Sequence, residues 1–115
     1  MAAPKYDIVI DQGSDFALSI IMKNDGIPVD LTGYSGRGQL RESKNAANPT
    51  ASFVVTITDA VNGALTVEML HSVSSGITAG VYWYDIEIYL GSEGSETAVT
   101  RLFGGKATVT GEITR

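Results

Sequence analysis

The longest run of apolar, aromatic and β-branched residues in the chain spans residues 80–90. Within this run, one set of alternate positions is uniformly apolar, whereas the other set includes Asp85 and Glu87. A period of two places the two sets on opposite faces of a β-strand. A strand with one polar face is typical of an antiparallel sheet and not of a buried parallel sheet. We therefore predict that residues 80–90 form the central strand of an antiparallel sheet.

Shorter alternating segments occur on both sides of this strand, with Asn, Asp, Gly and Pro clustered between them as turns require. They occupy residues 6–10, 16–23, 34–42, 53–57, 65–69, 97–103 and 106–113. Residues 72–77 are the candidate for one short helical turn, with Ser72 as its cap and Gly76 as its stop. Seven or eight short strands without a long helix predict an all-β fold, an antiparallel β-sandwich. The length indicates one domain over residues 1–115.

The apolar phase of each strand predicts the core. Gly36 and Gly38 share that phase with Leu40, which leaves space on the apolar face. Either a large side chain from the opposite sheet fills this space or another backbone approaches closely, and we favour the first interpretation. The residues predicted to be buried are Phe16, Leu18, Ile20, Leu40, Phe53, Val55, Ile57, Leu65, Val67, Tyr84, Ile86, Ile88 and Val109.

The composition of the chain mainly excludes kinds of site and partner. The 115 residues are 43% hydrophobic and 18% charged, which is an ordinary balance for a globular domain. Cysteine is absent, so disulfides, thiolate metal sites and cysteine catalysis are excluded. A net charge of -5 without a basic run argues against a nucleic-acid surface. No apolar run is long enough to cross a bilayer, and residues 1–10 do not have the pattern of a signal peptide.

Few residues are candidates for catalysis or for binding a cofactor. His71 is the single histidine, and we interpret it as a turn residue because no second histidine or cysteine exists to share a transition metal. Asp59 lies where turns favour aspartate, and Asp85 lies on a polar strand face. Residues 33–38 superficially resemble a phosphate-binding loop but lack its Lys-Ser/Thr ending and its helix. We predict no enzymatic activity, no cofactor and no metal, although turn aspartates leave a calcium site open.

Three residues on the nominally polar face of the central strand form a candidate interaction patch: Val81, Trp83 and Tyr89. Either a loop or an edge strand covers them, or they contact a partner, because aromatic residues concentrate at interfaces. Arg37 and Arg41 share the polar face of the strand over residues 34–42 and complete this set of candidate interaction residues.

Several motifs together resemble one known family. They are DQGSDF at residues 11–16, IPVDLTGY at 27–34, GVYWYDI at 80–86, and a closing pattern that begins Thr-Arg-Leu at residues 100–109. Nearly from end to end, the chain resembles the immunoglobulin-like N-terminal domain of bacteriophage baseplate upper proteins and similar small tail or head proteins. PVDLTGY is the most specific part of this match. In baseplate proteins a receptor-facing portion follows such a domain, whereas this sequence ends at Arg115.

The resemblance implies an immunoglobulin-like sandwich that serves as a non-enzymatic structural protein of a virion assembled in the bacterial host cytoplasm. The tail or baseplate is the preferred location, and a capsid decoration protein is the first alternative. A carbohydrate-binding sandwich that stacks sugars on Trp83, Tyr84 or Tyr89 is the second. Expected partners are other virion proteins, such as tail, baseplate or capsid subunits, or further copies of this chain, but neither nucleic acid nor a membrane. We expect them to cover an exposed sheet edge or the face that carries Trp83.

Overall fold

The structure, a computed structural model, describes residues 4–114 and consists mainly of β-strands. In that part of the chain, one short helix, α1 (His71–Ser74), accompanies nine strands. The strands are β1 (Ile8–Asp11), β2 (Phe16–Ile21), β3 (Lys23–Asn24), β4 (Ile27–Pro28), β5 (Ser35–Arg41), β6 (Ala51–Asp59), β7 (Ala64–Met69), β8 (Gly80–Ser92) and β9 (Ser95–Thr110).

Seven strands form one continuous sheet, in the order β1-β9-β8-β5-β6-β7-β2, and β3 and β4 form a separate hairpin. Strand β6 belongs to both halves of the sheet, because residues 51–53 pair with β5 and residues 54–59 pair with β7. The sheet folds over at β6, so that Val55 in one half covers Gly36 in the other. The fold is therefore all-β and sandwich-like, as the sequence predicts.

Strand β8 lies at the centre of the first half of the sheet, between β5 and β9. Its inward positions include Tyr84 and Ile86, which are 6% and 0% exposed. The Tyr84 hydroxyl donates a hydrogen bond to the carbonyl oxygen of Tyr6, and burial raises the pKa of Tyr84. The Tyr84 ring packs between Phe53 and Phe103, with ring centroids 5.9 and 6.1 Å away. Aromatic contacts thus connect the central strand to β6 and β9.

The space left by the glycines of β5 is filled by side chains, from the opposite half of the sheet at Gly36, as the favoured interpretation has it, but from the neighbouring strand β8 at Gly38. A Cβ added to Gly36 would lie 2.3 Å from Cγ1 of Val55, and one added to Gly38 would lie 2.4 Å from Cδ1 of Ile86. Neither glycine has room for a methyl group. The two glycines let large side chains of β6 and β8 approach the backbone of β5.

The predicted core is confirmed for eight residues and is too generous for five. The buried eight are Leu40, Phe53, Leu65, Val67, Tyr84, Ile86, Ile88 and Val109. The other five pack against the core but are only half-buried, because β2 is an edge strand and residues 54–59 of β6 pair only with β7. They are Phe16, Leu18, Ile20, Val55 and Ile57. The core also contains residues that the prediction omits, among them Ile8, Ile10, Leu31, Met69 and Phe103.

Strand β9 differs from the prediction, because it is one strand of 16 residues where the sequence indicates two. Gly104 and Gly105 continue the strand instead of breaking it. A Cβ on Gly104 would lie 2.7 Å from the carbonyl oxygen of Tyr84, and one on Gly105 would lie 2.6 Å from Oδ1 of Asp7. These glycines allow the neighbouring strand and the N-terminal segment to approach closely.

Strand β1 corrects the prediction of a purely antiparallel sandwich, because it pairs with β9 in parallel. The sheet is therefore mixed, with β1 and β2 at its edges. Alternation within a four-residue strand shows which face is buried but not which neighbour the strand joins, so the sequence could not show this pairing.

Helix α1 confirms a single helical turn, but its cap lies two residues earlier than predicted. Leu70, and not Ser72, is the residue before its first turn. The carboxylate of Asp15 accepts a hydrogen bond from the backbone N–H of His71, with a nitrogen–oxygen distance of 2.7 Å. Asp15 therefore satisfies a free N–H at the start of the helix from a distant part of the chain.

Replacement of Ile86 by alanine is expected to lower the free energy of unfolding by about 2–5 kcal/mol, because the side chain is fully buried. The matched control is Val81→Ala on the same strand, where a side chain 59% exposed is expected to change stability by less than about 0.5 kcal/mol. Urea titration of both variants measures the difference. A loss below about 1 kcal/mol for Ile86→Ala would show that the inward phase of β8 is wrong.

Candidate interaction surface around Trp83

The outer face of β5, β8 and β9 carries most of the candidate interaction residues. In the register of the sheet, Trp83 on β8 pairs with Arg41 on β5 and with Lys106 on β9. Directly paired residues project their side chains from the same face of a sheet. The indole therefore lies between two basic residues. We call this surface the Trp83 face, and it comprises Arg37, Arg41, Val81, Trp83, Asp85, Glu87, Arg101 and Lys106.

Two lysine ammonium groups lie over the indole of Trp83. Nζ of Lys44, in the segment after β5, is 4.6 Å from a ring centroid of Trp83, and Nζ of Lys106 is 5.6 Å from it. These distances are typical of cation–π contacts, in which the electron-rich ring face attracts a cation. The half-buried indole thus holds positive charge on the Trp83 face.

A groove of about 730 Å³ runs across this face, and we call it the Trp83 groove. Its lining includes Lys5, Arg41, Lys44, Trp83, Asp85 and Arg101. Because its floor is a sheet face and its walls are long flexible side chains, the groove is open to solvent. Such an open, charged surface suits an extended partner better than an enclosed small molecule.

The two carboxylates of the groove are each paired with an arginine. Asp85 Oδ2 lies 3.2 Å from Arg101 Nε, and Glu87 Oε1 lies 2.6 Å from Arg37 Nε. Arg37 Nη1 also lies 3.4 Å from Oε2 of Glu96. The hydrogen bond to Glu87 raises the pKa of the Arg37 guanidinium. The acidic side chains of the groove are therefore neutralised by charges of the same face.

Four cations in or beside the groove, Lys5 among them, have no acidic partner among residues 4–114. No described carboxylate lies within 4.0 Å of the charged groups of Arg41, Lys44 or Lys106. Arg41 is held by neutral acceptors, since its two terminal nitrogens donate to the carbonyl of Ala46 at 2.7 Å and to Oε1 of Gln39 at 2.8 Å. The guanidinium is fixed in place while its charge stays uncompensated.

The groove is basic although the chain is acidic. It and its border hold five basic and two acidic residues: Lys5, Arg41, Lys44, Arg101 and Lys106, with Asp85 and Glu87. The rest of the 115 residues contains three basic and eleven acidic side chains. A local surplus of positive charge on an acidic protein steers negatively charged partners to that surface.

The structure brings four of the five predicted interaction residues onto this surface. Arg41 and Trp83 are direct neighbours, and Arg37 lies on the same outer face. Val81 is one outward position before Trp83 and is 59% exposed. Sequence reasoning missed both lysines over the indole. The alternation of residues 106–109 places Lys106 on the outer face of its strand. Lys44 lies in a loop, where the sequence does not indicate what a side chain contacts.

Tyr89 is the member of the predicted set that does not reach solvent. It keeps the outward phase of β8 but is only 8% exposed. The guanidinium of Arg37 lies 4.6 Å from the centroid of its ring, and its hydroxyl donates to Glu93 at the tip of the β8–β9 hairpin. Tyr89 therefore supports Arg37 and the hairpin, and it is not available to a partner.

The candidate catalytic residues are each held by a different partner. Asp59 accepts a hydrogen bond from Asn62 at 2.9 Å, and Asp85 pairs with Arg101. His71 Nδ1 lies 2.9 Å from Oδ1 of Asp15, a pair that sequence reasoning missed because the residues are 56 positions apart.

The His71–Asp15 pair lies on the surface, and a serine on the same helix hydrogen-bonds to backbone groups. The backbone N–H and then the ring of His71 hydrogen-bond to Asp15, which lowers the pKa of its carboxyl group. Ser74, on the same helix, is buried and donates its hydroxyl to the carbonyl of Ser14 at 2.9 Å. The serine hydroxyl is thus engaged with backbone, and the acid–histidine pair acts as a link between the β1–β2 turn and α1.

Other candidate sites also have a structural interpretation. Gly33 adopts a positive φ of 85° in the turn before β5, and a strand instead of a helix follows it, unlike a phosphate-binding loop. Among residues 4–114, no group of three His, Cys, Asp or Glu side chains is placed to hold a metal ion. The same residues contain no helix that is long and apolar enough to span a membrane.

Comparison with known proteins leaves the family open. The chain matches no protein-family model and no curated protein. Among solved structures, it is similar to an internalin-like protein of Listeria monocytogenes, with a TM-score of 0.44 and 16% identity. That similarity covers 90% of this chain and 27% of the other. We base no functional argument on so low a similarity.

The environment of Trp83 predicts an unusual response to ionic quenchers of fluorescence, and Trp83 is the single tryptophan of the chain. Relative to their quenching of free N-acetyltryptophanamide, iodide is expected to quench it roughly twofold or more efficiently than caesium, because the surrounding cations attract anions. In a Lys44→Gln/Lys106→Gln variant, this ratio should fall toward one while quenching by neutral acrylamide rises, because the lysines no longer cover the ring. Lys23→Gln, outside the groove, is the matched control.

Either of two results would contradict a positive potential at Trp83. If the iodide-to-caesium ratio of the wild-type protein, normalised to free N-acetyltryptophanamide, equals one, or if the Lys23 variant changes the ratio as much as the double variant does, the positive potential is not located at Trp83.

Proposed function

We propose that this chain is a non-enzymatic structural protein of a bacteriophage particle, in its tail or baseplate, and that the Trp83 face contacts another protein of the particle. The observation that carries the interaction part of the proposal is the pairing of Arg41, Trp83 and Lys106 across three strands. Tryptophan and arginine are the residues most enriched among those that dominate binding energy at interfaces.

The chemistry of the face supports a contact surface better than a catalytic one. Its two acids are engaged by arginines, and its remaining charged groups are cations. General acid–base catalysis needs groups of suitable pKa within hydrogen-bond reach of one substrate. The acid–histidine pair at Asp15 and His71 is a link to a helix start, and its nearby serine is buried.

The virion assignment is supported by the sequence resemblance, whose most specific motif forms a defined turn. In PVDLTGY, the Asp30 carboxylate accepts hydrogen bonds from the backbone N–H and the hydroxyl of Thr32, at 2.9 and 2.5 Å. Leu31 is 1% exposed and anchors the turn in the core. The motif thus builds the entry into β5, the strand that supplies Arg37 and Arg41 to the Trp83 face.

A capsid decoration protein is the alternative location that we keep, because the Trp83 face would serve a capsid contact equally well. Carbohydrate binding is less favoured, since a sugar that stacks on the indole would compete with the two lysine ammonium groups over the ring.

In the parent virus, Trp83→Ala is expected to reduce the copy number of the protein in purified particles by about tenfold or more, because a central aromatic contact is lost. Quantitative mass spectrometry of particles measures this, and circular dichroism confirms that the variant folds. Val61→Ala is the matched control, since its side chain is exposed to 65% but lies in the turn after β6.

Two outcomes would contradict the proposal. The first is absence of the wild-type protein from purified particles. The second concerns its non-enzymatic part: an Asp15→Asn/His71→Ala variant that folds and is incorporated at normal copy number, yet abolishes infectivity, would restore a chemical role.

A further inference from the structure

We infer that the Trp83 groove binds an extended acidic segment of a different protein, whose carboxylates pair with Arg41, Lys44 and Lys106. This inference rests on the proposed function only in taking the Trp83 face as the contact surface. It adds the chemistry of the partner, which the proposed function leaves open.

Uncompensated charge is the first argument for an acidic partner. The described part of the chain supplies carboxylates to Arg37 and Arg101 but none to Arg41, Lys44 or Lys106. Arg41 uses two of its five N–H donors on neutral acceptors, so it is oriented yet keeps donors free. A carboxylate that reaches this guanidinium meets a donor group that is already fixed, which lowers the entropic cost of binding.

The spacing of the cations is the second argument. Arg41, Trp83 and Lys106 lie on three adjacent strands, so the basic residues span about 10 Å across the sheet. Alternate side chains of an extended peptide are about 7 Å apart. A segment with acidic residues at alternate positions therefore places two or three carboxylates within reach of the three cations.

The paired acids of the groove favour a short protein segment over a nucleic acid. Asp85 and Glu87 lie beside the cations, with Arg101 and Arg37 as their partners. A phosphate backbone would meet these carboxylates along its length, whereas a short acidic segment can end before them. The whole chain also carries a net charge of -5, which opposes binding of a polyanion as large as nucleic acid.

A direct test uses a synthetic peptide of roughly five residues in which glutamate alternates with serine, so that its three glutamates share one face when the peptide is extended. Fluorescence of Trp83 and isothermal calorimetry measure its binding to the full chain. We expect a dissociation constant tighter than about 1 mM at low salt. The same peptide with glutamine in place of glutamate should bind at least about tenfold more weakly.

The matched variants locate the effect. Arg41→Gln/Lys44→Gln/Lys106→Gln is expected to weaken peptide binding by about tenfold or more, while Lys23→Gln leaves it unchanged. Circular dichroism confirms that both variants fold, and Trp83 is retained in both as the reporter. Added salt should weaken binding to the wild-type protein, because the contacts are exposed and screened.

Several outcomes would overturn the inference. They are failure of the glutamate peptide to bind, equal binding of the glutamine peptide, and tighter binding of a neutral oligosaccharide or of single-stranded DNA. Self-association of the wild-type chain that the triple variant abolishes would identify a second copy as the occupant instead.

The particle experiment separates this inference from the proposed function. If Trp83→Ala is lost from particles but the triple glutamine variant is incorporated normally, the face is a contact surface and the acidic partner is wrong. If neither variant is lost, the proposed contact surface itself is wrong.

Discussion

Burial of the inner face of β8 is the constraint on which the rest of the structure depends. Tyr84 and Ile86 are closed off from solvent between the two halves of the sheet, so a shift of one residue would move charged side chains into the core. The same register that buries Ile86 places Trp83 and Asp85 on the outside. It also sets Trp83 between Arg41 and Lys106. The arrangement of the Trp83 face is therefore a direct consequence of how the core packs.

Charge on the outer face is divided into two zones by its ion pairs. Where Arg37 and Arg101 meet Glu87 and Asp85, the surface is neutral and the side chains are mutually held. Around Trp83, in contrast, cations contact a ring and neutral acceptors. Exposed ion pairs contribute little to stability. Their main effect here is to neutralise Asp85 and Glu87, so that the uncompensated charge of the groove is positive.

The sequence was sufficient for features that depend on local periodicity. The alternation of residues 80–90 identified β8, its inward side and the outward position of Trp83, and the glycines of β5 indicated that large side chains fill their space. It was insufficient where distant segments dock. The parallel pairing of β1, the continuity of β9 through Gly104 and the bond from Asp15 to α1 all depend on neighbours that lie far away in the chain. Tyr89 shows the same limit: the alternation predicted that it lies on the outer face, but not that Arg37 covers its ring.

Chemical footprinting of lysines tests most directly whether the Trp83 face is a contact surface. Reductive methylation, followed by peptide mass spectrometry, compares the reactivity of each lysine in the free protein and in purified particles. Lys44 and Lys106 lie over the indole, whereas Lys23 lies on β3 outside the groove and serves as the internal reference. The account predicts that particles protect Lys44 and Lys106 relative to Lys23. Equal reactivity of Lys44 and Lys106 in both states would contradict it.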